Sequence, residues 1–452
     1  MKIHILGICG TFMGSIALLA RALGHEVSGS DENVYPPMST QLAEHGISLI
    51  EGYDPAHLDP VPDLVIIGNA LSRGNSAVEH VLNKGLSYIS GPQWLNENVL
   101  QGRHVFAVAG THGKTTTAAM LSWILDVAGL KPGFLIGGIA ENFLCSARLG
   151  NSDYFVVEAD EYDTAFFDKR SKFIHYRPHT LIINNIEFDH ADIFNDLGAI
   201  RREFHHLVRL IPEQGMIIAH HGDQQIDEVL DMGCWSSVEY FADDAAKWNI
   251  RPLADDFSEF EVLVDGELSG KCQWQLIGQH NAENALAAIA AAAQAGITSD
   301  KACEALAGFK SVKRRLEQLA VVNNITVYDD FAHHPTAIQA TLKALRQSIG
   351  DKRIIAIFEP RSNTMRQGIH KDDLAASLVD ADHSMLFQPE GLVWDLTECT
   401  KSLGDKRQVF TDIESIINET VSMAHNSDHI IIMSNGGFGG IHTKLIERLQ
   451  SL

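Results

Sequence analysis

The chain has 452 residues, 45% of them hydrophobic and 21% charged, with 58 acidic against 35 basic side chains and a net charge of −23. That length asks for two or three domains rather than one core, and that charge argues against nucleic acid and anionic membrane surfaces as partners. Six scattered cysteines with no CxxC pair form neither a disulfide framework nor a zinc motif, so a reducing, cytoplasmic setting is expected.

The opening MKIHILG meets a glycine turn too early for a signal peptide. No stretch approaches the ~18 uninterrupted apolar residues of a membrane helix. A strand is predicted at Lys2–Leu6, a turn at Gly7–Gly14, a helix at Ser15–Leu23 and a second strand from Glu26 toward Asp31, which together make a βαβ unit. The loop GICGTFMG has Cys9 and Phe12 where a dinucleotide fingerprint would have glycines. Gly7 and Gly10 still permit a tight turn, which includes Thr11, and the N-terminus of the helix that follows offers N–H groups to a diphosphate. Asp31 stands where a ribose or base hydroxyl could be read. The equally simple reading is a glycine turn that packs strand on helix. Further strands at Ile47–Ile50 and Leu64–Gly68 lead to a polar turn holding Asn69, Ala70 and Ser72. This first domain is placed at 1–100.

A second βα unit opens at His104–Ala109 and runs through GTHGKTT into a helix. Gly110, Thr111, His112 and Gly113 form a shortened phosphate loop, since Val108 holds the place of the usual first glycine. Lys114 is a point cation for β- and γ-phosphates, Thr115 a hydroxyl for Mg²⁺, and Thr116 continues the cradle. Two acidic loops follow apolar strands. EADEYD carries Glu158, Asp160, Glu161 and Asp163; NNIEFDHAD carries Asn185, Glu187, Asp189 and His190. Hard oxygen donors suit Mg²⁺, and a histidine suits a second, less demanding cation. Any one carboxylate is as well explained by a solvated loop. In GQHNAENALAAIAAA, Asn281 is a fair N-cap, and Asn281 with Asn284 could also read a heterocycle beside His280. The second domain is placed at 101–312.

The third domain, 313–452, begins at KRRLE, a cation cluster that includes Arg315. Strands at Ile325–Tyr328, Arg353–Phe358, Ser384–Phe387 and Ile430–Met433 end in loops with unusual residues. DDFAHHP holds Asp330, His333 and His334; the histidine pair invites a zinc reading, but no further Cys or His falls at zinc spacing. FEPRSNTMR holds Arg361, Ser362, Asn363 and Arg366, a basic patch in an acidic protein. MSNGGFGG holds Ser434 and Asn435 in open, glycine-rich backbone.

The order of these loops resembles the Mur ligase family along the whole chain: GTHGKTT, EADE, N-x-E-x-DH, G-x-HN-x-x-N, the RR pair and DD-x-x-HHP. The resemblance implies three α/β domains, the first Rossmann-like, the second of P-loop ATPase type and the third Rossmann-like. It implies an ATP-dependent ligase of peptidoglycan metabolism that uses Mg²⁺. GICG and DDFAHHPT look like the branch that adds L-alanine, while FEPRSNTMR and SNGGFGGIH look like the branch that recycles peptides. The implied reaction joins UDP-N-acetylmuramate to the tripeptide L-Ala-γ-D-Glu-meso-diaminopimelate, with free L-alanine as the alternative amine.

Carried onto matching positions, Lys114 would bind phosphate and Thr115, Glu158 and His190 would hold metal, with Lys114, Glu158 and His190 catalytic. His280, Asn281, Asn284, Arg315 and Asp330 would face ATP. Arg361, with Ser362 and Asn363, would clamp a peptide carboxylate. Several family members carry a carbamylated lysine after the DH loop; REFHHLVRLIP has no lysine there, and His205 or His206 is expected nearby instead. A folylpolyglutamate synthetase-like enzyme and a catalytically silent nucleotide-binding regulator are the rival readings. A monomer or weak homodimer is expected.

Overall fold

The computed structural model describes residues 1–34 and 38–451. Three sheets follow one another along the chain. The first has five parallel strands in the order Ser48–Glu51, Glu26–Asp31, Lys2–Leu6, Leu64–Ile67, Tyr88–Ser90. Its strand order reverses direction between Lys2–Leu6 and Leu64–Ile67, so the Gly7 loop and the Asn69 loop flank one crevice. Helix Thr11–Ala22 begins four residues earlier than its sequence suggests. Gly14 belongs to that helix and not to the turn, and a side chain there would strike Met38.

The second sheet has ten strands. At its centre Met216–His220, Thr180–Ile183, His104–Ala109 and Tyr154–Glu158 lie side by side and parallel. Their fully buried apolar runs explain the absence of alternation in sequence. Helices Lys114–Val127 and Gln279–Ala293 pack on one another, and the fully buried Ala118, Ala119 and Ala285 to Ala292 let them approach closely. Gly278 caps the second of these helices, so Asn281 is no N-cap; it is the third residue of the helix and donates its amide to the Ile277 carbonyl. The strands Gly133–Ala140, Ser237–Phe241, Trp248–Pro252, Glu259–Val264 and Glu267–Gln273 extend this sheet. Their glycines and half-exposed polar positions had hidden them.

The third sheet sets Ile325–Asp330, His429–Met433 and Ile354–Phe358 next to one another in parallel. Glu317–Val322 is added antiparallel at the edge. Parallel strands end on the same side, so the DDFAHHP, SNGG and EPRSN loops emerge together. They face the loops that end His104–Ala109, Tyr154–Glu158 and Thr180–Ile183, and the two sets meet in contact. Among the described residues no helix is long and apolar enough to cross a membrane.

Candidate active site between the second and third sheets

The phosphate loop is braced by three asparagines. Asn185 accepts the Thr111 N–H on its carbonyl at 3.1 Å and the His112 N–H on its side-chain oxygen at 2.8 Å. Asn184 donates to Thr117 at 3.1 Å, and Thr117 donates to Asn284 at 3.1 Å. Gly113 has φ +79°, and any side chain there would meet the Asn284 and Asn184 amides, so only glycine lets the loop lie this close. Asn284 and Asn185 therefore brace the loop.

Lys114 points back across that loop. Its ammonium donates to the Gly110 carbonyl at 2.6 Å and to Glu161 at 3.1 Å. Burial alone would lower its pKa, but Glu161, Asp160 and Glu158 outweigh it and raise it. Glu158 accepts the Thr115 hydroxyl at 3.0 Å and the Gly137 N–H at 2.6 Å. Burial raises its pKa despite Lys114. His190 (φ +56°) sits 3.1 Å from Glu161, and Asp160 completes a cluster of possible cation ligands with these two. The predicted trio thus divides: Thr115 contacts Glu158, while His190 pairs with Glu161, one of the four EADEYD acidic residues but not the one assigned to metal. Lys172 is a residue the sequence did not single out. It is buried, 3.1 Å from Asp160, and lies over the rings of Phe12 and Tyr162. Its signal was one cation among three in FFDKRSKF, too weak to read.

A cavity of about 850 Å³ opens over the loop. Thr111, His112, Gly113, Lys114, Thr115, Thr116, Asn185, His280, Asn281, Asn284, Arg315 and Asp330 all line it; Gly110 does not, being buried with its carbonyl taken by Lys114. Helix Pro335–Ile349 forms the facing wall through Thr336, Ala340, Lys343 and Gln347. Their spacing of three to four is the signal that could have identified this face. His280 is pushed down to about 4 by burial and by Arg315. Arg315 stacks 5.0 Å from the Phe331 ring. Its neighbour Arg314 is structural, tied to Asp329 and to the carbonyls of Ser434 and Gly436. Asp330 accepts the N–H groups of Leu316 and Ala332 at 2.6 and 2.7 Å, so it shapes the loop that carries Arg315.

A smaller chamber of about 170 Å³ is lined by Arg361, Ser362, Asn363 and Asn435 with Asp189, His190, Asp192 and His333. Asn363 already donates to Asp192 at 3.0 Å, and Ser362 caps the short helix after it. Two predicted members are elsewhere. Ser434, the first residue past the strand His429–Met433, is fully buried and donates to Glu359 at 2.5 Å. Arg366 is exposed, one helical turn beyond the residues that face the chamber. On helix Leu197–Val208, His205 packs against Trp235 and Gly233, and His206 is exposed; Glu203 of that helix instead accepts the Ser171 hydroxyl and lines a small cavity with Glu161.

In the first sheet's crevice, Gly7 has φ +80° and the Cys9 N–H donates to Asp31 at 2.9 Å. Asp31 also accepts the Asn33 N–H at 3.0 Å, so its carboxylate braces the loop that begins helix Thr11–Ala22 behind Gly10. Burial and Asp31 push the Cys9 thiol up to about 11. Asn69, Ala70 and Ser72 follow the neighbouring strand, whose end is joined by Gly68 N–H to the Leu6 carbonyl at 3.0 Å.

Residues 2–103 match the description "Mur ligase family, catalytic domain", 108–292 "Mur ligase middle domain" and 314–436 "Mur ligase, glutamate ligase domain". The UDP-N-acetylmuramate–L-alanyl-γ-D-glutamyl-meso-2,6-diaminoheptandioate ligase of Escherichia coli strain K12 is 57% identical over 99% of this chain and 98% of its own. A UDP-N-acetylmuramate–L-alanine ligase of Clostridium acetobutylicum is 31% identical over 96% of this chain and 95% of its own. Among solved structures, a murein peptide ligase from Psychrobacter arcticus is 48% identical, superimposes with a TM-score of 0.77, and is covered over 100% of this chain and 99% of that one.

Proposed function

Because the chain belongs to the Mur ligase family, we propose that it joins UDP-N-acetylmuramate to L-Ala-γ-D-Glu-meso-diaminopimelate with ATP, releasing ADP and phosphate, in peptidoglycan recycling. One observation carries this reading beyond likeness. The nucleotide cavity and the chamber below Arg361 share five lining residues: Tyr162, Asp189, His190, His333 and Asn435. An acid energised in one space is therefore within reach of an amine held in the other.

In this reading the lactyl carboxylate attacks the γ-phosphorus and ADP leaves. The peptide amine then attacks the acyl carbon, the C–O bond breaks, phosphate leaves, and the amine's proton passes to a base or water. Lys114 draws the triphosphate in, and phosphoryl transfer depends mostly on such positioning and charge. Bound Mg²⁺ would neutralise phosphate charge; Thr115 and Glu158, a hydroxyl and a buried carboxylate 3.0 Å apart, fit it as hard donors. His190 with Glu161 and Asp160 is the second cation position. His280, Arg315 and helix Pro335–Ile349 enclose the nucleoside. Arg361 and Asn435 receive the peptide. Gly7, Cys9, Gly10, Thr11, Asp31, Asn69, Ala70 and Ser72 form the crevice for the UDP-sugar, so that 1–100, 101–312 and 313–452 divide the three substrates among them.

Phosphate release with UDP-N-acetylmuramate and a panel of amines tests this reading. Turnover with the tripeptide and none with free L-alanine is expected. Equal turnover with L-alanine would overturn the proposed amine.

A further inference from the structure

Three side chains from distant segments converge where the second and third sheets meet. They are His112 in the phosphate loop, Glu187 after Thr180–Ile183, and His334 at the start of helix Pro335–Ile349. One ligand atom of each lies within 4.8 Å of the other two. Glu187 Oε2 is 3.6 Å from His112 Nε2 and 3.4 Å from His334 Nδ1. A tetrahedral ion with bonds of ~2.0–2.1 Å sets its ligand atoms about 3.3 Å apart, so both edges are nearly preformed.

The bonding of these groups also points to a missing partner. His112 Nε2 is buried and has no hydrogen-bond partner, which a native site rarely leaves unexplained. His334 Nδ1 accepts only a long bond, 3.3 Å, from the Thr336 N–H. Burial and His112 push His334 down to about 3, so its ring is neutral at neutral pH and one ring nitrogen can act as a donor to a metal. Thr336 donates to Glu187 at 2.8 Å, the kind of outer contact that orients a ligating carboxylate. Two imidazoles and one carboxylate with a position left over are a zinc donor set, whereas Mg²⁺ prefers oxygen alone.

We propose that His112, Glu187 and His334 form a site for Zn²⁺ or a similar transition metal, separate from the Thr115–Glu158 position, that clasps the phosphate loop to the third sheet. The ion joins the two sides of the cleft, so it stabilises the closed arrangement. This inference rests on geometry and not on the assignment of substrates.

The test uses full-length protein stripped with chelator, then titrated with zinc chloride without nucleotide. Bound zinc is counted by equilibrium dialysis and stability is read by thermal melts. Wild type is compared with His112→Ala, Glu187→Gln and His334→Asn; the last keeps a side chain that can cap the helix. Wild type should bind one more equivalent than each variant and gain Tm on zinc addition but not on magnesium addition. Each variant should bind at that site at least ~100-fold more weakly, since losing even an outer partner costs 10–100-fold. Equal stoichiometry and an equal Tm gain in wild type and all three variants would overturn the proposal, as would no zinc binding by wild type.

Discussion

The Thr364 hydroxyl donates to Asp189 at 2.6 Å, with both partners buried, although 175 residues separate them in sequence. This bond runs from the third sheet's loops to the second's. Asp189 is held well below the usual carboxylate range: burial would raise it, but His333, His190 and Thr364 outweigh burial. A hydrogen bond to a charged group contributes about 1.5–3 kcal/mol, or roughly 10–100-fold in an equilibrium. Thr364→Val should therefore shift the protein toward an open arrangement, seen as a larger radius of gyration in solution scattering and a higher KM for the peptide. Scattering and kinetics identical to wild type would show that the bond does not hold the cleft closed.

In the proposed reaction Lys114, which pairs with Glu161 at 3.1 Å, would exchange that carboxylate for phosphate when ATP arrives. Lys114→Ala should lower kcat by at least ~10²-fold through lost stabilisation of transition-state charge. Near-normal turnover would remove the phosphate loop from the reaction.

The His190–Glu161 pair gives a pH signature. Burial alone would lower His190, but the hydrogen bond and charge of Glu161, helped by Asp189, raise it above 6.5. Burial alone would raise Glu161, but Lys114 and His190 hold it at about 2. The histidine's contribution to stability is complete below its unfolded pKa and fades as pH rises through the raised folded value. The glutamate's contribution is complete above its unfolded pKa and fades as pH falls toward about 2. Wild type should therefore exceed His190→Gln in Tm most between about 4.5 and 6.5, with the gap narrowing on both sides. The melts are run without nucleotide or divalent ions. A gap that widens with rising pH would refute the pairing.

Arg361 is exposed at the chamber's edge, its nearest acidic partner being Glu359 at 3.8 Å. Arg361→Ala should raise KM for the tripeptide by roughly 10–100-fold, the worth of a charged hydrogen bond, with little change in KM for ATP. Unchanged steady-state kinetics with the tripeptide would place its carboxylates elsewhere.

Much of the site was legible because strand-end loops announce themselves locally. An apolar run followed by GTHGKTT fixes a strand, a turn and a helix start, and one followed by EADE fixes a strand end and an acidic loop, through neighbours only a few residues away. Other features carried no local mark. KRRLE did not distinguish Arg314, which stitches loops, from Arg315, which faces the cavity. Ser434 looked like an exposed loop residue, yet its hydroxyl turns inward to Glu359. The HHP pair lacked a zinc partner at any usual spacing, because His112 and Glu187 reach His334 only through the fold.

The sequence by itself determined the α/β alternation, the phosphate loop and the family, since backbone periodicity and turn chemistry act over a few residues. Only the tertiary structure decided which charges neutralise one another: Lys114 with Glu161, His190 with Glu161 rather than Glu158, Thr364 with Asp189. Electrostatic and hydrogen-bond energies depend on distance in space and on burial, and neither is a function of distance along the chain.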